Sequence, residues 1–147
     1  MFICVGAQVG KEALLMYKGY VFACSSTSLK SCVKNKRYAC SEGQVDASEG
    51  IETGAVVFLH ILKSDRLVGP FTVTDKPHTD LQPGTWTSSI ERNSFSGNIK
   101  VEWEELHQLE NAQKRIKFLG DEAACTLSHF QTQELLDVLK DAPRFQD

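Results

Sequence analysis

The segment "GAVVFLHILKSDRLVGPFTVTD" (54–75) decides the fold class, because it predicts a long β-hairpin. Residues 55–62 are nearly all apolar, which is typical of a strand buried on both faces. The turn is expected at residues 63–65, and residues 67–74 form the second arm. Gly69-Pro70 interrupts that arm and indicates a bulge or a sheet edge.

Further strands are predicted on both sides of the hairpin. "GYVFAC" (19–24) has the β-branched and aromatic residues of a buried strand, and "RYACSE" (37–42) is a second candidate. "NIKVEWEEL" (98–106) alternates apolar and polar residues, which places Trp103 in the core with its apolar neighbours. "KRIKFL" (114–119) is predicted to be one more strand.

Two helices are predicted from their periodicity and caps. In "SSTSLKSCVKNK" (25–36), the apolar residues fall at i, i+3 and i+4, and the leading hydroxyl residues are N-cap candidates. "SHFQTQELLDVLKD" (128–141) begins with an S-x-x-Q capping box. Its inward stripe is predicted to be Phe130, Leu135, Leu136 and Leu139.

These elements predict a single α+β domain over residues 1–147. It would be built on a curved, barrel-like mixed sheet of about six strands with two or three peripheral helices. Residues 1–18 precede the first confident strand. They are either a strand with a short helix or an appended N-terminal extension.

Charge and cysteine usage narrow the function classes. The formal net charge of −3 excludes a globally basic nucleic-acid binder, so an anionic partner would need a local basic patch. No apolar run reaches the roughly 18–20 residues of a membrane span, and no basic stretch precedes the apolar start, so we expect an intracellular protein that binds no membrane.

No C-x-x-C pair occurs, which favours buried free thiols over a zinc site or a disulfide framework. The five cysteines are Cys4, Cys24, Cys32, Cys40 and Cys125.

No motif of catalysis is present. The chain has no H-E-x-x-H, no Walker loop and no G-x-G-x-x-G. The stretch "DKPHTD" (75–80) is interpreted as a polar loop rather than a metal site. We therefore expect a binding protein that is not an enzyme and needs no cofactor or metal.

A long loop predicted at residues 75–97 carries Trp86 and Phe95 among small polar residues. Loops of this length within a compact domain are usually functional or disordered. Large rings on such a loop suggest a pocket for a flat ligand such as a nucleobase, although anchoring of the loop to the core is the alternative role of Phe95.

The order of these segments resembles YTH-type and development-and-cell-death-type (DCD-type) domains of the PUA-like superfamily, over about residues 19–140. "GYVFACSSTSLKSC" (19–32) is closest to the DCD-type opening strand. "SFSGNIKVEW" (94–103) is similar to the YTH strand that follows an aromatic-x-Gly. The resemblance implies that Tyr38, Trp86 and Phe95 take the positions of the three YTH cage aromatics. Packing within the sheet is the alternative role of Tyr38.

Polar and basic residues complete the site that the resemblance implies. Ser25, Ser26 and Thr27 are candidates to hydrogen-bond a base edge, and helix capping is their alternative role. The candidate phosphate-binding residues form two groups, for which solvated surface is the alternative. The groups are Lys30, Lys34, Lys36 and Arg37, and then Lys114 and Arg115.

The leading hypothesis is a nucleic-acid-binding module for RNA or DNA that accepts a flipped or unpaired base, with N6-methyladenine as the candidate modified base. Single strands or sites with an extruded base should bind best, because extruding a base from a duplex costs a few kcal/mol. Such a domain would work alone or beside a nuclease or motor subunit. The alternative is a DCD-type protein–protein interaction domain in stress or cell-death signalling.

Overall fold

The computed structural model describes residues 18–44, 50–78 and 97–146. In chain order the strands are β1 (Gly19–Cys24), β2 (Arg37–Cys40), β3 (Val56–Ile61), β4 (Arg66–His78), β5 (Gly97–Glu102), β6 (His107–Glu110) and β7 (Ala124–Leu127). The helices are α1 (Ser26–Asn35), α2 (Ala112–Arg115) and α3 (His129–Lys140), with a 3-10 turn at Glu42–Gln44.

The strands form one mixed sheet in the order β2-β5-β4-β3-β1-β7, and β6 also pairs with β4. Strand β1 runs parallel to β3, and the other pairs are antiparallel. The predicted α+β class is confirmed, with seven strands among the described residues rather than about six. The prediction of a strand at 114–119 is wrong, because this stretch contains the end of α2 and a turn.

The predicted hairpin is confirmed as β3 and β4, and the interruption at Gly69-Pro70 marks where β4 changes partner. Before it, residues 66–69 pair with β6, and from Thr72 onward β4 pairs with β5. Proline has no N–H to donate, so it fits the junction between two partner strands. A Cβ at Gly69 would stand 3.0 Å from the Phe58 ring, so any larger residue would have to displace that ring slightly.

Hydrophobic clusters cover both faces of the sheet. Neighbouring residues of β1 and β3 alternate between them: Phe22 and Leu59 join the first cluster, whereas Val21 and Phe58 join the second. Helix α1 packs on the first cluster, whereas α2 and α3 pack on the second. Helix α1 therefore covers one face of the sheet, and helices α2 and α3 cover the other.

Helix α3 begins as predicted. Ser128 accepts a hydrogen bond from the Gln131 backbone, and the Gln131 side chain accepts one from the Ser128 backbone N–H. Leu135 and Leu139 are fully buried as expected, but Phe130 is 75% exposed, so its place in the inward stripe is wrong. Thr132 takes that place: it is buried and bonds the Ser128 carbonyl.

Gln44 links the two ends of the sheet. Its Oε1 accepts hydrogen bonds from the Tyr38 hydroxyl at 2.8 Å and the Ser41 backbone at 3.1 Å. Its Nε2 donates to the carbonyl of Ala23 in β1 at 2.7 Å and to that of Ala123, just before β7, at 2.8 Å. Because β2 and β7 are the opposite ends of the strand order, this one buried amide draws the open sheet into a barrel-like curve.

Candidate nucleic-acid interface

Tyr38 lies in the core, on the face of β2 that points into the first hydrophobic cluster. Its ring is 3% exposed and stacks on Phe22, with centroids 5.5 Å apart and planes 8° apart. Burial raises the pKa of the Tyr38 phenol, so the hydroxyl stays protonated and donates to Gln44. One ring face is therefore covered by Phe22, and the phenol helps to hold the sheet ends together.

Trp86 and Phe95 lie outside the described residues, but the two ends of their segment are described. Strand β4 ends at His78 and β5 begins at Gly97, and His78 pairs in register with Asn98. Asn98 also pairs with Ala39, the neighbour of Tyr38. The described residues on either side of the segment thus lie close to the β2 residue that carries the third candidate ring.

Ser25 caps helix α1, as its alternative role proposed. Its φ of −89° and ψ of 166° are extended, and its hydroxyl accepts from the Ser28 backbone N–H at 3.1 Å. Ser26 and Thr27 follow in the first turn and are exposed. The first turn of α1 contains no acidic residue, so the partial positive charge of the helix N-terminus is not offset there.

The first basic group is brought together on the surface, and the structure adds Lys100 to it. Arg37 in β2 lies directly opposite Lys100 in β5, and Lys36 precedes it at the helix C-cap with a left-handed φ of 55°. We call Lys34, Lys36, Arg37 and Lys100 the basic ridge; all four are exposed. Because like charges directly opposite each other in a sheet repel, the Arg37–Lys100 pair is an unfavourable one.

The charge around the basic ridge is only partly balanced. Asp75 in β4 lies in register with Lys100 on its other side. The Lys36 Nζ lies 5.9 Å from the Trp103 ring centroid, a cation–π contact. Lys30 lies one turn before Lys34 on α1 and is also exposed. Asp75, and Glu102 two residues beyond Lys100 on the same face of β5, stand beside five cations, so this surface is positive on a protein of net charge −3.

The second basic group lies elsewhere. Lys114 and Arg115 occupy the last turn of α2, which packs through Ala112 on the second cluster. Arg37 and Lys100 alternate along their strands with Tyr38 and Ile99, which point into the first cluster, so the two basic side chains point away from that cluster. The two basic groups therefore lie on separate elements, the first on α1, β2 and β5 and the second on α2.

Asn98 is a polar residue that the sequence did not single out. It is 8% exposed, and its Nδ2 donates no hydrogen bond within the described ranges. Leaving such a donor unpaired costs about 1–3 kcal/mol. It lies one pleat from Lys100, on the same face of β5, where the segment carrying Phe95 re-enters the sheet.

A metal site and a membrane-spanning helix are absent from the described residues. Within 18–44, 50–78 and 97–146, no group of three or more His, Cys, Asp or Glu residues is placed to hold a metal ion. In the part of the chain that the structure describes, every helix is too short or too polar to cross a membrane. Trp103, predicted to be core, is half-buried and packs edge-on against Phe71 with centroids 5.5 Å apart.

The solved structures to which this chain is similar include several YTH domains. The Mmi1 YTH domain in complex with RNA has a TM-score of 0.65 at 14% identity, covering 88% of this chain and 85% of that chain. The Pho92 YTH domain in complex with m6A has a TM-score of 0.64 at 20% identity, covering 89% and 90%. The YTH domain of Zygosaccharomyces rouxii MRB1, in complex with N6-methyladenosine RNA, has 0.64 at 18%, covering 90% and 92%.

At these identities the likeness shows a shared fold. No curated protein matches the chain. The model of the development and cell death domain family matches residues 18–139, which is most of the 147-residue sequence. The predicted YTH-like and DCD-like character is thereby confirmed, and the chain belongs to the development and cell death domain family, built on a fold that it shares with YTH domains.

Proposed function

We propose that this domain binds single-stranded RNA and holds one unpaired base in a pocket formed by Tyr38, Trp86 and Phe95, with N6-methyladenine as the preferred base. The observation that carries the proposal is the basic ridge, where Arg37 and Lys100 face each other, with Lys100 in the strand that follows Phe95 in the sequence. RNA is the ligand named for several structures with the same fold, which supports RNA over DNA.

Tyr38 would form the floor of the pocket. Phe22 covers one face of its ring, so a base would have to stack on the opposite face, which is buried in this structure. Trp86 and Phe95 would form the walls, and stacking of a base on an aromatic side chain is worth about 1–3 kcal/mol. An N6-methyl group adds apolar area and removes one donor that water would solvate, so a pocket of rings favours the methylated base.

The polar residues would act around that pocket. Ser25 holds the α1 terminus, which leaves the exposed Ser26 and Thr27 hydroxyls to bond a base edge. The basic ridge, with Lys30 behind it, would contact successive phosphates. Each phosphate contact to a single strand steepens the fall of log K with log salt by about 0.7.

The domain would act by binding alone, as a module rather than an enzyme. Among the cysteines of the described ranges, Cys24, Cys32 and Cys125 carry free thiols. Free buried thiols are typical of reducing compartments, which supports an intracellular site of action.

Anisotropy titrations with a labelled RNA of roughly nine nucleotides would test the proposal, comparing one central adenine with N6-methyladenine and with the DNA counterpart. Arg37→Ser with Lys100→Ser should weaken binding about tenfold and flatten the salt dependence by roughly one unit. Lys114→Ser with Arg115→Ser removes the same charge from α2, which contributes no residue to the basic ridge, and should change little.

Two results would refute the proposal. If both double variants weaken binding equally, the basic ridge is not the binding surface. If RNA does not bind at low salt, the module has another ligand. Trp86→Ala and Phe95→Ala then separate the pocket from the ridge, because they should abolish the preference for the methylated base while leaving the salt dependence unchanged.

A further inference from the structure

A cavity of about 310 Å³ opens beside the loop that joins β5 to β6. Trp103, Val33 and Phe145 form its apolar wall, and Glu104, Glu105 and Arg144 line its mouth. Trp103 and Phe145 are only partly buried against the first cluster. The cavity therefore combines ring faces with carboxylates, the surroundings that a guanidinium group prefers.

The chain's own C-terminal tail, residues 143–146, shows how a basic segment is held at this edge. The Gln108 N–H donates to the Pro143 carbonyl at 2.9 Å, and the Phe145 N–H donates to the Leu106 carbonyl at 2.8 Å. Arg144 bridges to His107 as a short antiparallel strand pair, and its guanidinium bonds Glu105. The tail is thus an added strand whose arginine is neutralised by one of the two mouth carboxylates.

The second mouth carboxylate, Glu104, has no such cation. Glu105 bonds both Arg144 and His107, and this pairing lowers the pKa of the Glu105 carboxyl. Glu104 is exposed and makes no ion pair with any cation in the described residues. It also lines a second cavity of about 310 Å³, formed with Pro70, Thr72 and Leu136. An unpaired charge thus stands between two open cavities.

From this geometry we propose that the Trp103 cavity is a docking site for an arginine-containing basic segment of a partner protein. The partner's guanidinium stacks against Trp103 and Phe145 and pairs with Glu104, as Arg144 pairs with Glu105 within the chain. Lys36 already lies 5.9 Å from the Trp103 ring centroid, so this indole is accessible to a cation. The site goes beyond the proposed RNA function and uses different carboxylate and aromatic residues.

The test uses the full chain labelled with ¹⁵N and a short acetylated Gly-Arg-Gly-Arg-Gly amide peptide. The chain has two tryptophans, so the indole region holds two N–H signals, and Trp103→Phe identifies which is which. The Trp103 signal should shift saturably with peptide, at a Kd of roughly millimolar order. The same peptide with citrulline in place of arginine keeps the shape without the charge and should not shift it.

Two matched variants test the carboxylate. Glu104→Gln should raise the Kd about fivefold, the upper end for one exposed ion pair. Glu122→Gln removes the same charge from an exposed position that lines neither cavity, and it should leave the Kd unchanged. Both variants should keep the melting temperature and the RNA affinity of the unmodified chain.

Three outcomes would overturn the inference. Equal shifts with the citrulline peptide would mean that charge does not direct binding. Equal weakening by Glu104→Gln and Glu122→Gln would mean that the peptide follows only the net charge. A Trp103 signal that stays in place at several millimolar peptide would mean that the cavity does not take an arginine at all.

Discussion

Replacing Gln44 with methionine should destabilise the domain more than any surface substitution. The change keeps the length of the side chain and removes its polar atoms. Gln44 is 1% exposed and makes four hydrogen bonds, two as acceptor and two as donor. At about 1 kcal/mol for each net hydrogen bond, the loss comes to about 4 kcal/mol.

That loss is a large share of the roughly 5–15 kcal/mol that stabilises a typical domain. Tyr38→Phe removes only one of the four bonds and should cost about 1 kcal/mol. The double variant should cost less than the sum, because both single changes break the same Tyr38–Gln44 bond.

Urea unfolding followed by far-ultraviolet circular dichroism measures these free energies, provided that the m-value stays constant. Gln133→Met is the matched control, because Gln133 is exposed and bonds only Asp137 on the surface of α3. It should change the free energy of unfolding by less than about 0.5 kcal/mol. A cost below about 1.5 kcal/mol for Gln44→Met would refute its role in joining the sheet ends.

Three further outcomes are expected. Asn98→Val should raise the free energy of unfolding by about 1 kcal/mol in urea titrations, because it removes an unpaired buried donor. A loss of stability would mean that the Asn98 side-chain amide has a hydrogen-bond partner in the folded protein. Ser128→Ala should lower the melting temperature through a loss of about 1 kcal/mol, because the reciprocal cap with Gln131 disappears, and an unchanged value would contradict this. Burial raises the pKa of the Cys24 and Cys32 thiols from 9.0 to about 12. These thiols therefore ionise first in the unfolded chain, and the free energy of unfolding should fall as the pH rises from 9 to 12. A variant with both Cys24→Ala and Cys32→Ala should show a shallower fall, and an identical pH profile would count against these two thiols as the cause.

Elements with strong local signals were predictable from sequence. The apolar run of β3 followed by a polar turn specified the hairpin, and the Ser128–Gln131 capping box specified the start of α3. In both cases the deciding interactions lie within a few residues along the chain. The apolar periodicity of α1 was sufficient for the same reason.

Predictions failed where a distant partner decides the local structure. The alternation in residues 114–119 favoured a strand, but Asp65 accepts the Ala112 and Gln113 N–H groups and thereby starts helix α2. Strand β6 has a weak apolar pattern of its own and forms because the first residues of β4 are free to pair with it. Phe130 follows the helical period yet points to solvent, since α3 docks through Leu135 and Leu139.

In the candidate site, too, some features depend on local sequence and others on contacts between distant residues. The sequence by itself determined the amphipathic elements, the cap residues and the list of rings and cations, because these depend on side-chain chemistry and short spacings. Only the tertiary structure decided that Arg37 faces Lys100, that Lys114 lies in a helix separate from that pair, and that Gln44 is buried between the sheet ends. Strand register and the joining of sheet ends connect residues remote in sequence, and no local pattern encodes which remote groups will meet.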